Sequence, residues 1–550
     1  MNHRDPIVEL GTHRVENQPE PLLDYDLYRT DPVLREQVGR HGQAWTDGWL
    51  SDLGTAMGGA EAQRQGFEAN ENPPQLRAFD RYGRRIDQVD YHPSYHALMS
   101  AAIERGVHAI AWQAEGAGGH LAHIAAMYLI TQPEQGFCCP ITMTHSVIPA
   151  LRHDPAVAGE WEPRVLANAY DPRFLPPGEK GGVTFGMAMT EKQGGSDVRA
   201  NSTQARELDA PGTYELTGHK WFCSAPMSDA FLTLAQTGDG LTCFLVPRWR
   251  PDGSRNPFFI QRLKNKLGNR SNASSEIEYA GTWARRLGEP GRGVRTIIEM
   301  VQQTRLDAAT APVGMMRQGL VQAHHHAAQR HAFGARLVDQ PLMRNVLADL
   351  VLEWEAATHL VLRVARAVDD GHAETQPALF SRLATAITKY WTNKRAPQFL
   401  YECMECLGGG GYVEESILPR LYREAPVNSI WEGSGNVICL DVLRAVEREP
   451  ETVPALLREI EAGAGRNDHL DRHVEQLKAT LRDDSDPQIR ARRLTEDMAL
   501  ALQGSLMVRN APAPVADAFC ASRLGHGHSV YGTLPPDADL DAIIGRIWHD

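Results

Sequence analysis

The stretch from which the fold can be inferred is Asn428-Ser429-Ile430-Trp431-Glu432-Gly433-Ser434-Gly435-Asn436. It places one carboxylate between a large aromatic residue and a turn of small residues, just before an apolar helical pattern. The glycines let backbone approach a flat ligand closely. Ser434 and Asn436 can cap the following helix, whose free N–H groups would face an anion. From this stretch alone, Glu432 is either a general base with a pKa raised by partial burial or a surface residue in a turn.

The composition is that of a large globular chain. Of its 550 residues, 42% are hydrophobic and 23% are charged, so a sizeable core is available. The formal net charge of -13 argues against a surface that binds nucleic acid throughout, although a local basic patch is compatible with it. No uninterrupted apolar run reaches the roughly 18 residues of a membrane helix, so we expect no membrane partner.

The cysteines indicate a reducing compartment. All eight are irregularly spaced, and residues 1–6 do not lead into an apolar signal segment, so we expect a cytoplasmic protein. Cys403 and Cys406 form a C-x-x-C pair inside a helical pattern, without the second pair that a zinc site needs. We therefore predict no metal site.

The hydrophobic pattern divides the chain into four parts. Residues 1–180 look irregular at first and helical from Tyr95 onward, with further helices at about 120–130 and 141–151. Residues 181–290 hold short β-rich runs separated by Gly, Asp and Pro, which is typical of an antiparallel sandwich or barrel.

Long amphipathic helices follow in the third part, residues 291–446, and their short connections predict an antiparallel bundle. Residues 447–550 read as an appended helical domain with proline-rich breaks. The predicted fold class is thus α+β, mainly α. The helices predicted in the third part cover residues 294–330, 341–369, 377–407 and 436–447.

Two motifs in the β-rich part are suited to a flat cofactor. Met189-Thr190-Glu191-Lys192-Gln193-Gly194-Gly195-Ser196-Asp197 follows a predicted strand and leaves backbone N–H groups free for a polar ring or a phosphate. Lys220-Trp221-Phe222-Cys223-Ser224 lies at another strand end, where Trp221 could cover a ring and Ser224 could hydrogen-bond a ring nitrogen. Taken singly, the first is equally an Asp-capped turn, and Trp221 is more often a core residue.

A third motif, Gln329-Arg330-His331-Ala332-Phe333-Gly334, ends a predicted helix. Arg330 is either a partner of the helix dipole or a clamp for a pyrophosphate. The sequence contains no P-loop, no strand–G-x-G-x-x-G–helix unit and no G-x-S-x-G elbow, so the functions tied to those motifs are unsupported.

In this order the motifs resemble those of the acyl-CoA dehydrogenase family of flavoproteins. Residues 190–197 resemble its T-E-P-x-A-G-S-D flavin loop with Pro and Ala replaced, and residues 221–224 resemble its W-I-T-N segment. Residues 330–334 match R-x-x-F-G, and residues 431–433 match the Y-E-G that carries the catalytic Glu.

The substitutions resemble one branch of that family, the AidB-like proteins linked to alkylation defence. The segments that carry this likeness are residues 70–74, 79–80, 83–87, 92–93 and 140–144. The resemblance spans residues 15–447 and is weaker in the tail.

The resemblance implies a helical N-terminal domain, a central antiparallel β-barrel, a C-terminal four-helix bundle and an extra helical domain. It implies FAD as the cofactor in a homotetramer, with Arg330 at a neighbouring subunit's FAD and with Thr304 and Arg305 on the helix that closes the acyl pocket. The residues that it assigns to the cofactor are Met187, Met189, Thr190, Gly195, Ser196, Trp221, Phe222, Cys223, Ser224, Arg330, Phe333, Ile430, Trp431, Gly433, Ser434 and Asn436.

The implied chemistry is α,β-dehydrogenation of an acyl thioester. Glu432 would remove the α-proton while a hydride leaves the β-carbon for the flavin, and N–H donors would stabilise the developing enolate. Position 304 provides the base in some family members. Here it is Thr304, which cannot act as a base, so Glu432 is the only candidate.

The AidB-like branch also implies double-stranded DNA as a partner, at most weak dehydrogenase activity, and DNA contact through the tail. Residues 445–550 contain 12 Lys and Arg against 18 Asp and Glu, which weakens that expectation because phosphate contact needs clustered positive charge. The candidate DNA contacts are Arg444, Arg472, Lys478, Arg482, Arg490, Arg492 and Arg493. The acidic residues Asp483, Asp484 and Asp486 lie between these cations in the sequence.

Two hypotheses therefore stand, and a third is more remote. The first is a DNA-associated flavoprotein of alkylation defence that shields DNA or destroys an alkylating agent. The second is a metabolic acyl-CoA dehydrogenase for a short or branched substrate that has gained a tail. The third is a structural tetramer in which FAD is only a folding ligand.

Overall fold

Helices enclose a central β-barrel in the computed structural model, which describes residues 6–114, 118–483, 486–525 and 529–549. The helices are α1 (Pro32–His41), α2 (Ala44–Gly58), α3 (Ala60–Glu71), α4 (Pro93–Ile103), α5 (Ile110–Gln113), α6 (Gly119–Ile130), α7 (Cys138–Ser146), α8 (Ile148–Leu151), α9 (Pro155–Val165), α10 (Gly293–Gln329), α11 (Pro341–Gly371), α12 (Thr375–Cys406), α13 (Gly409–Tyr412), α14 (Ile417–Asn428), α15 (Gly435–Arg448), α16 (Thr452–Glu461), α17 (Asp468–Leu481), α18 (Pro487–Asn510), α19 (Ala513–Phe519) and α20 (Leu540–Ile544). The strands are β1 (Gln75–Phe79), β2 (Arg85–Asp90), β3 (Phe185–Ala188), β4 (Gln204–Glu207), β5 (Thr213–Ser224), β6 (Ala230–Thr237), β7 (Gly240–Pro247), β8 (Phe258–Leu263), β9 (Ser274–Leu287), β10 (His331–Ala332) and β11 (Ala335–Arg336). Residues 1–5 and Asp484, which entered the sequence argument, lie outside the described residues.

Residues 6–31 are irregular, but α1, α2 and α3 occupy most of residues 32–71, so the interpretation of this later stretch as irregular was wrong. Asp31 caps α1, since its side chain accepts a hydrogen bond from the Leu34 N–H at 2.8 Å. The glycines of α2 allow close packing of the preceding segment against this helix, because a Cβ on Gly58 would lie 1.8 Å from the Tyr25 carbonyl oxygen.

The β-rich part forms a closed barrel. Strands β6, β4, β5, β9 and β7 follow one another, and pairing of β7 with β6 closes the ring. Most pairings are antiparallel, as predicted, but β3 and β4 each pair with β6 in parallel. Aromatic residues, among them Phe231, Phe244 and Tyr279, fill the interior. The segment 221–224 ends β5, as the sequence indicated.

The helical bundle is built from α10, α11, α12 and α15, close to the bounds that the sequence predicts. The additional helix α14 was not predicted, and it carries the chain from α12 to the turn that holds Glu432. The tail packs onto this bundle: α18 contacts α11, α12 and α15. Trp391 of α12 donates from Nε1 to Gln503 of α18 at 2.8 Å, so the tail shares the bundle's core.

No helix in the described part of the chain is both long enough and apolar enough to cross a membrane.

Arg317 joins three distant parts of the chain. This buried residue of α10 lies 3.3 Å from Asp31, donates to the Thr30 carbonyl at 2.9 Å, and also donates to the Ile547 carbonyl near the end of the chain. Its guanidinium stacks over Trp354 at 4.8 Å. The charge is thus both paired and hydrogen-bonded, which a buried ion requires.

Replacing Arg317 with Met is expected to destabilise the fold by about 3–5 kcal/mol, because it leaves Asp31 as an uncompensated buried charge. Urea unfolding followed by circular dichroism would measure the loss. The matched control is Arg336→Met, which breaks an exposed pair with Asp339 and should cost far less, because an exposed ion pair adds little stability. Equal losses in the two variants would contradict the role of Arg317 as a junction.

Candidate active site at the turn between α14 and α15

Glu432 lies in a turn whose backbone carbonyls accept hydrogen bonds from two cationic side chains, Lys389 and Arg305. Its backbone has φ 55, and Gly433 follows with φ 102, so both residues are left-handed. Lys389 of α12 donates to the carbonyls of Trp431, at 2.7 Å, and of Gly433. Arg305 of α10 donates from Nε to the Glu432 carbonyl at 3.2 Å. A left-handed non-glycine residue costs roughly 1–3 kcal/mol, and these bonds to buried cations offset that strain.

The Glu432 carboxylate contacts α10 directly. Thr304 donates from Oγ1 to Glu432 Oε2 at 2.6 Å. Burial raises the pKa of Glu432 above its ordinary value, although the Thr304 hydrogen bond and the positive charges of Lys389 and Arg305 oppose the rise. A raised pKa brings a carboxylate closer to the working range of a general base.

Lys389 is a functional residue that the sequence reasoning missed. Its side chain is buried, and burial lowers the pKa of its ammonium to about 7, while the charge of Glu432 opposes that shift. The available signal was a lysine in the apolar middle of a long helix, since a lysine is almost never fully buried unless it is paired. Arg305, which was predicted, is itself held by Asp441 at 3.0 Å.

The glycine-rich loop after β3 is anchored by Glu191. This fully buried carboxylate accepts from Lys220 Nζ at 2.9 Å, from Thr203 Oγ1 at 2.6 Å and from the Ser202 N–H at 2.7 Å. Although burial alone would raise the pKa of Glu191, its hydrogen bonds and the charge of Lys220 hold that pKa below the ordinary value. The sequence motif contained Glu191, but its structural role was not predicted.

The anchored loop exposes backbone that suits an anion. Gln193 to Ser196 are exposed, and a Cβ on Gly195 would lie 2.5 Å from Thr190 Oγ1, so only glycine fits there. Within the described residues, the N–H groups of Gly195 and Ser196 make no hydrogen bond. Met187 and Met189 are half-buried on the strand side, against the neighbouring core. Small residues with free N–H groups match a phosphate or the polar edge of a ring.

The end of β5 meets this loop. The Trp221 N–H donates to the Thr190 carbonyl at 2.8 Å, and Lys264 lies 3.2 Å from the centre of the half-buried Trp221 ring. Phe222 is 49% exposed, and Lys264 also lies 4.6 Å from the centre of its ring. Cys223 is fully buried in the barrel core, so its side chain does not face a cofactor, contrary to what the motif suggested.

Ile430 and Trp431 directly precede Glu432 in the turn. Ile430 is 66% exposed, whereas Trp431 Nε1 is buried and has no hydrogen-bond partner among the described residues. A buried indole N–H normally finds a partner. The exposed apolar side chains, the free loop N–H groups and this orphan donor together fit a large, flat and polar cofactor.

The start of α15 differs from the predicted cap. Ser434 holds the N-cap position, but its side chain makes no capping hydrogen bond. Asn436 lies inside the first turn and accepts from Arg492 Nε, in the tail, at 2.8 Å. The predicted capping by these two side chains is therefore wrong, and Asn436 instead connects the turn to α18.

Arg330 lies far from Glu432 of the same chain. It follows the end of α10, 26 residues beyond Thr304, which corresponds to roughly 39 Å of helix. There it donates to the Asn17 carbonyl, beside the hairpin β10–β11 that carries a fully exposed Phe333 at its tip. This site and the catalytic turn cannot meet the same end of one cofactor.

The predicted DNA contacts are largely engaged with other residues. Four of them form ion pairs, namely Arg444 with Asp441, Lys478 with Glu461, Arg490 with Asp483, and Arg493 with Asp497. Arg492 is bound to Asn436, and Arg472 lies 3.0 Å from His469 Nδ1. Arg482 is exposed at the end of α17.

One further group of titratable residues lies one turn from Thr304. His123, His145 and Asp307 are all buried and close together. The two imidazole rings are stacked, with centroids 3.6 Å apart and 15° between their planes. A metal ion binds in the plane of an imidazole, so parallel rings cannot both point at one ion. Although burial lowers the pKa of His123, Asp307 at 3.0 Å raises it above its usual value.

Comparison with known proteins decides the family. Family profiles described as "Adaptive response protein AidB N-terminal domain", "Acyl-CoA dehydrogenase, middle domain" and "Acyl-CoA dehydrogenase, C-terminal domain" match residues 17–172, 186–282 and 291–447. The chain is 46% identical to AidB of Escherichia coli (strain K12) over 511 residues, which cover 92% of this chain and 94% of AidB. It belongs to the acyl-CoA dehydrogenase family.

Within the acyl-CoA dehydrogenase family the chain is AidB-like, which confirms the predicted branch and fold class. It is 30% identical to acyl-CoA dehydrogenase family member 11 of Caenorhabditis elegans, over 84% of this chain and 78% of that protein. The solved structure of C. elegans ACDH-11 with C11-CoA superposes with TM-score 0.84 at 26% identity, covering 100% of this chain and 94% of that one. The Bd2924 apo-form superposes with TM-score 0.83 at 29% identity, over 90% and 99%.

The cofactor of this family is FAD, as predicted. The residues around Thr190, Phe222 and Trp431 fit it, because they offer an exposed aromatic side chain and polar donors that have no partner among the described residues.

Replacing Glu191 with Gln is expected to lower the FAD content of the purified protein and to destabilise it by about 3–5 kcal/mol, because Lys220 keeps a buried charge without its partner. The ratio of visible to ultraviolet absorbance would report the bound flavin. The matched control is Glu215→Gln, which breaks an exposed pair with Arg206 on the same barrel. Normal flavin content and stability in Glu191→Gln would show that the loop needs no anchor.

Proposed function

We propose that this protein dehydrogenates an acyl-CoA thioester with Glu432 as the catalytic base. The observation that supports this most directly is the buried Glu432 carboxylate, which Thr304 binds while Lys389 and Arg305 fix its turn. A surface glutamate would need none of these contacts. The C. elegans relative was solved in complex with C11-CoA, which supports an acyl thioester as substrate.

The chain's own groups account for the proton and for the developing charge. Glu432 takes the α-proton of the thioester. The Glu432 N–H makes no hydrogen bond within the described residues, so it is available to the thioester carbonyl, where it would stabilise the enolate. When bound, FAD supplies the acceptor for the hydride that leaves the β-carbon. The resemblance predicts a short or branched acyl group, whereas the C. elegans complex contains a C11 acyl chain.

The assignment of cofactor contacts is part of the proposal. Thr190, Gly195 and Ser196 would meet the polar edge and the phosphates, while Phe222, Ser224 and Trp431 would surround the ring. Arg330 and the exposed Phe333 would reach the FAD of a neighbouring subunit in a homotetramer. Their distance from Glu432 along α10 supports this arrangement.

The division into residues 1–180, 181–290, 291–446 and 447–550 is likewise our proposal. So is a cytoplasmic location, which is supported by eight cysteines that form no disulfide.

Replacing Glu432 with Gln is expected to abolish bleaching of the flavin by acyl-CoA, because the amide cannot accept the α-proton. Isovaleryl-CoA and butyryl-CoA are suitable probes, and the absorbance of oxidised flavin is the measurement. FAD should remain bound in the variant, which separates a chemical defect from a failure to bind the cofactor. Bleaching at the wild-type rate in Glu432→Gln, or none with any chain length in wild type, would overturn the proposal.

Thr304→Val provides the matched control. It keeps the carboxylate but removes a hydrogen bond that lowers the pKa of Glu432. The pKa should rise, so flavin reduction should slow at acidic and neutral pH and recover as pH increases. A structural defect would lower the rate equally at every pH.

A second candidate function is binding of double-stranded DNA in alkylation defence, with inactivation of alkylating agents. It is favoured by the match of residues 17–172 to a domain described as belonging to an adaptive response protein. The exposed Arg482 and Arg472 on α17 are the cations best placed for phosphate, because the others are engaged in ion pairs or with Asn436.

If DNA binds through α17, the double variant Arg472→Glu/Arg482→Glu should weaken the binding of a fluorescent duplex. The logarithmic salt dependence of binding should also fall by about 0.9 for each phosphate that is no longer neutralised. Fluorescence anisotropy between low and physiological salt would measure both. The control is Arg77→Glu in the β1–β2 hairpin, which should change neither. Absence of binding at low salt in the wild type would exclude this candidate.

A further inference from the structure

A hydrogen-bonded path leads from Lys266 to Ser224. Lys266 lies in the connection between β8 and β9, and its Nζ donates to the Asn272 carbonyl at 2.6 Å and to Ser274 Oγ at 3.1 Å. Ser274 Oγ lies 3.2 Å from Ser224 Oγ at the paired ends of β9 and β5. The lysine is thus linked through one intervening hydroxyl, that of Ser274, to the residue that we assign to the flavin ring.

Lys266 and Glu432 both act electrostatically on one residue, the Cys139 thiol of α7. Burial raises the pKa of the Cys139 thiol to about 11, the charge of Lys266 lowers it, and the charge of Glu432 raises it. The Ser224 hydroxyl also lowers the pKa of this thiol. Lys266, Ser224 and Glu432 are thus all electrostatic neighbours of Cys139.

Burial and the neighbouring charges together set the pKa of the Lys266 ammonium. Burial lowers the pKa of Lys266 to about 8, while the charges of Glu424, Cys139 and Glu134 oppose that shift. These groups face it from α14, from α7 and from the connection that precedes α7. Glu424 accepts a hydrogen bond from the Asn269 side chain at 2.7 Å. Burial and the charge of Glu134 raise the pKa of Glu424 to about 7.

We propose that Lys266 is a positioning residue of the flavin site: through Ser274 it orients the Ser224 hydroxyl toward the ring, and its positive charge favours the reduced, electron-rich flavin. The inference rests on the proposed contact of Ser224 with the flavin. A cation near a group that gains negative charge stabilises that state, more strongly where water is scarce. Arg206, on β4 of the same barrel, has the same charge but forms an exposed ion pair with Glu215 at 3.2 Å, so it provides a natural comparison.

The test is the midpoint potential of the FAD-loaded protein, measured by photoreduction against a reference dye between pH 6 and pH 10. Lys266→Met should shift the potential to more negative values at pH 7. The difference from wild type should shrink above about pH 8, where the wild-type lysine itself loses its proton. Ser274→Ala, which breaks the path but keeps the charge, should shift the potential in the same direction, and Lys266→Arg should restore most of the wild-type value.

Arg206→Met is the matched control and should leave the potential and its pH dependence unchanged. Potentials of Lys266→Met and Ser274→Ala that coincide with wild type at every pH would overturn the proposal. If Lys266→Met does not fold, Ser274→Ala and Lys266→Arg decide the question. The measurement needs no acyl thioester, so a shifted potential in a protein that oxidises no acyl-CoA would support this role while refuting the proposed reaction.

Discussion

The hydrogen bonds that Lys389 and Arg305 make to the carbonyls of residues 431–433 are the interaction on which the site depends. They join three parts of the bundle, because Lys389 belongs to α12, Arg305 to α10, and the turn connects α14 with α15. The left-handed Glu432 is stable only while both cations stay in place. The bundle is therefore more than a support: its packing determines the backbone conformation that points the carboxylate at Thr304.

A buried ion pair fixes the position of each of the two segments that form the proposed site. Glu191 with Lys220 fixes the loop that would hold the cofactor, and Arg305 with Asp441 fixes the cation that holds the catalytic turn. A buried pair adds little net stability compared with apolar packing, but removing one partner is costly. What these pairs contribute is geometry, since the glycine-rich loop belongs to the barrel and the turn at Glu432 to the helical bundle, and the proposed site needs both.

The sequence predicts the fold well where periodicity is strong. The long helices α10, α11 and α12 were predicted near their observed bounds, because each buries a regular face. The helices α2 and α3 were missed, and the roles of Gly54 and Gly58 in close packing are visible only once the chain is folded. The order of the motifs predicted that Glu432 and Thr190 belong to one site. No sequence pattern shows that the Lys389 side chain reaches across the bundle or that the Cys223 side chain points into the barrel core. Those facts depend on tertiary contacts and on the bulge that interrupts the pairing of β5 with β9.

The tail takes part in the same arrangement through α18. This helix packs on α11, α12 and α15, and its Arg492 binds Asn436 at the start of the helix that follows the catalytic turn. A helix in that position is constrained by the core of the bundle, as the bond between Trp391 and Gln503 shows. Its cations are then used within the protein, Arg493 with Asp497 and Arg492 with Asn436, which explains how a tail with more acidic than basic residues can keep exposed arginines without forming a basic surface. The tail is therefore best understood first as a brace for the turn at Glu432, and any contact with a nucleic acid has to be made by the few cations that this bracing leaves exposed.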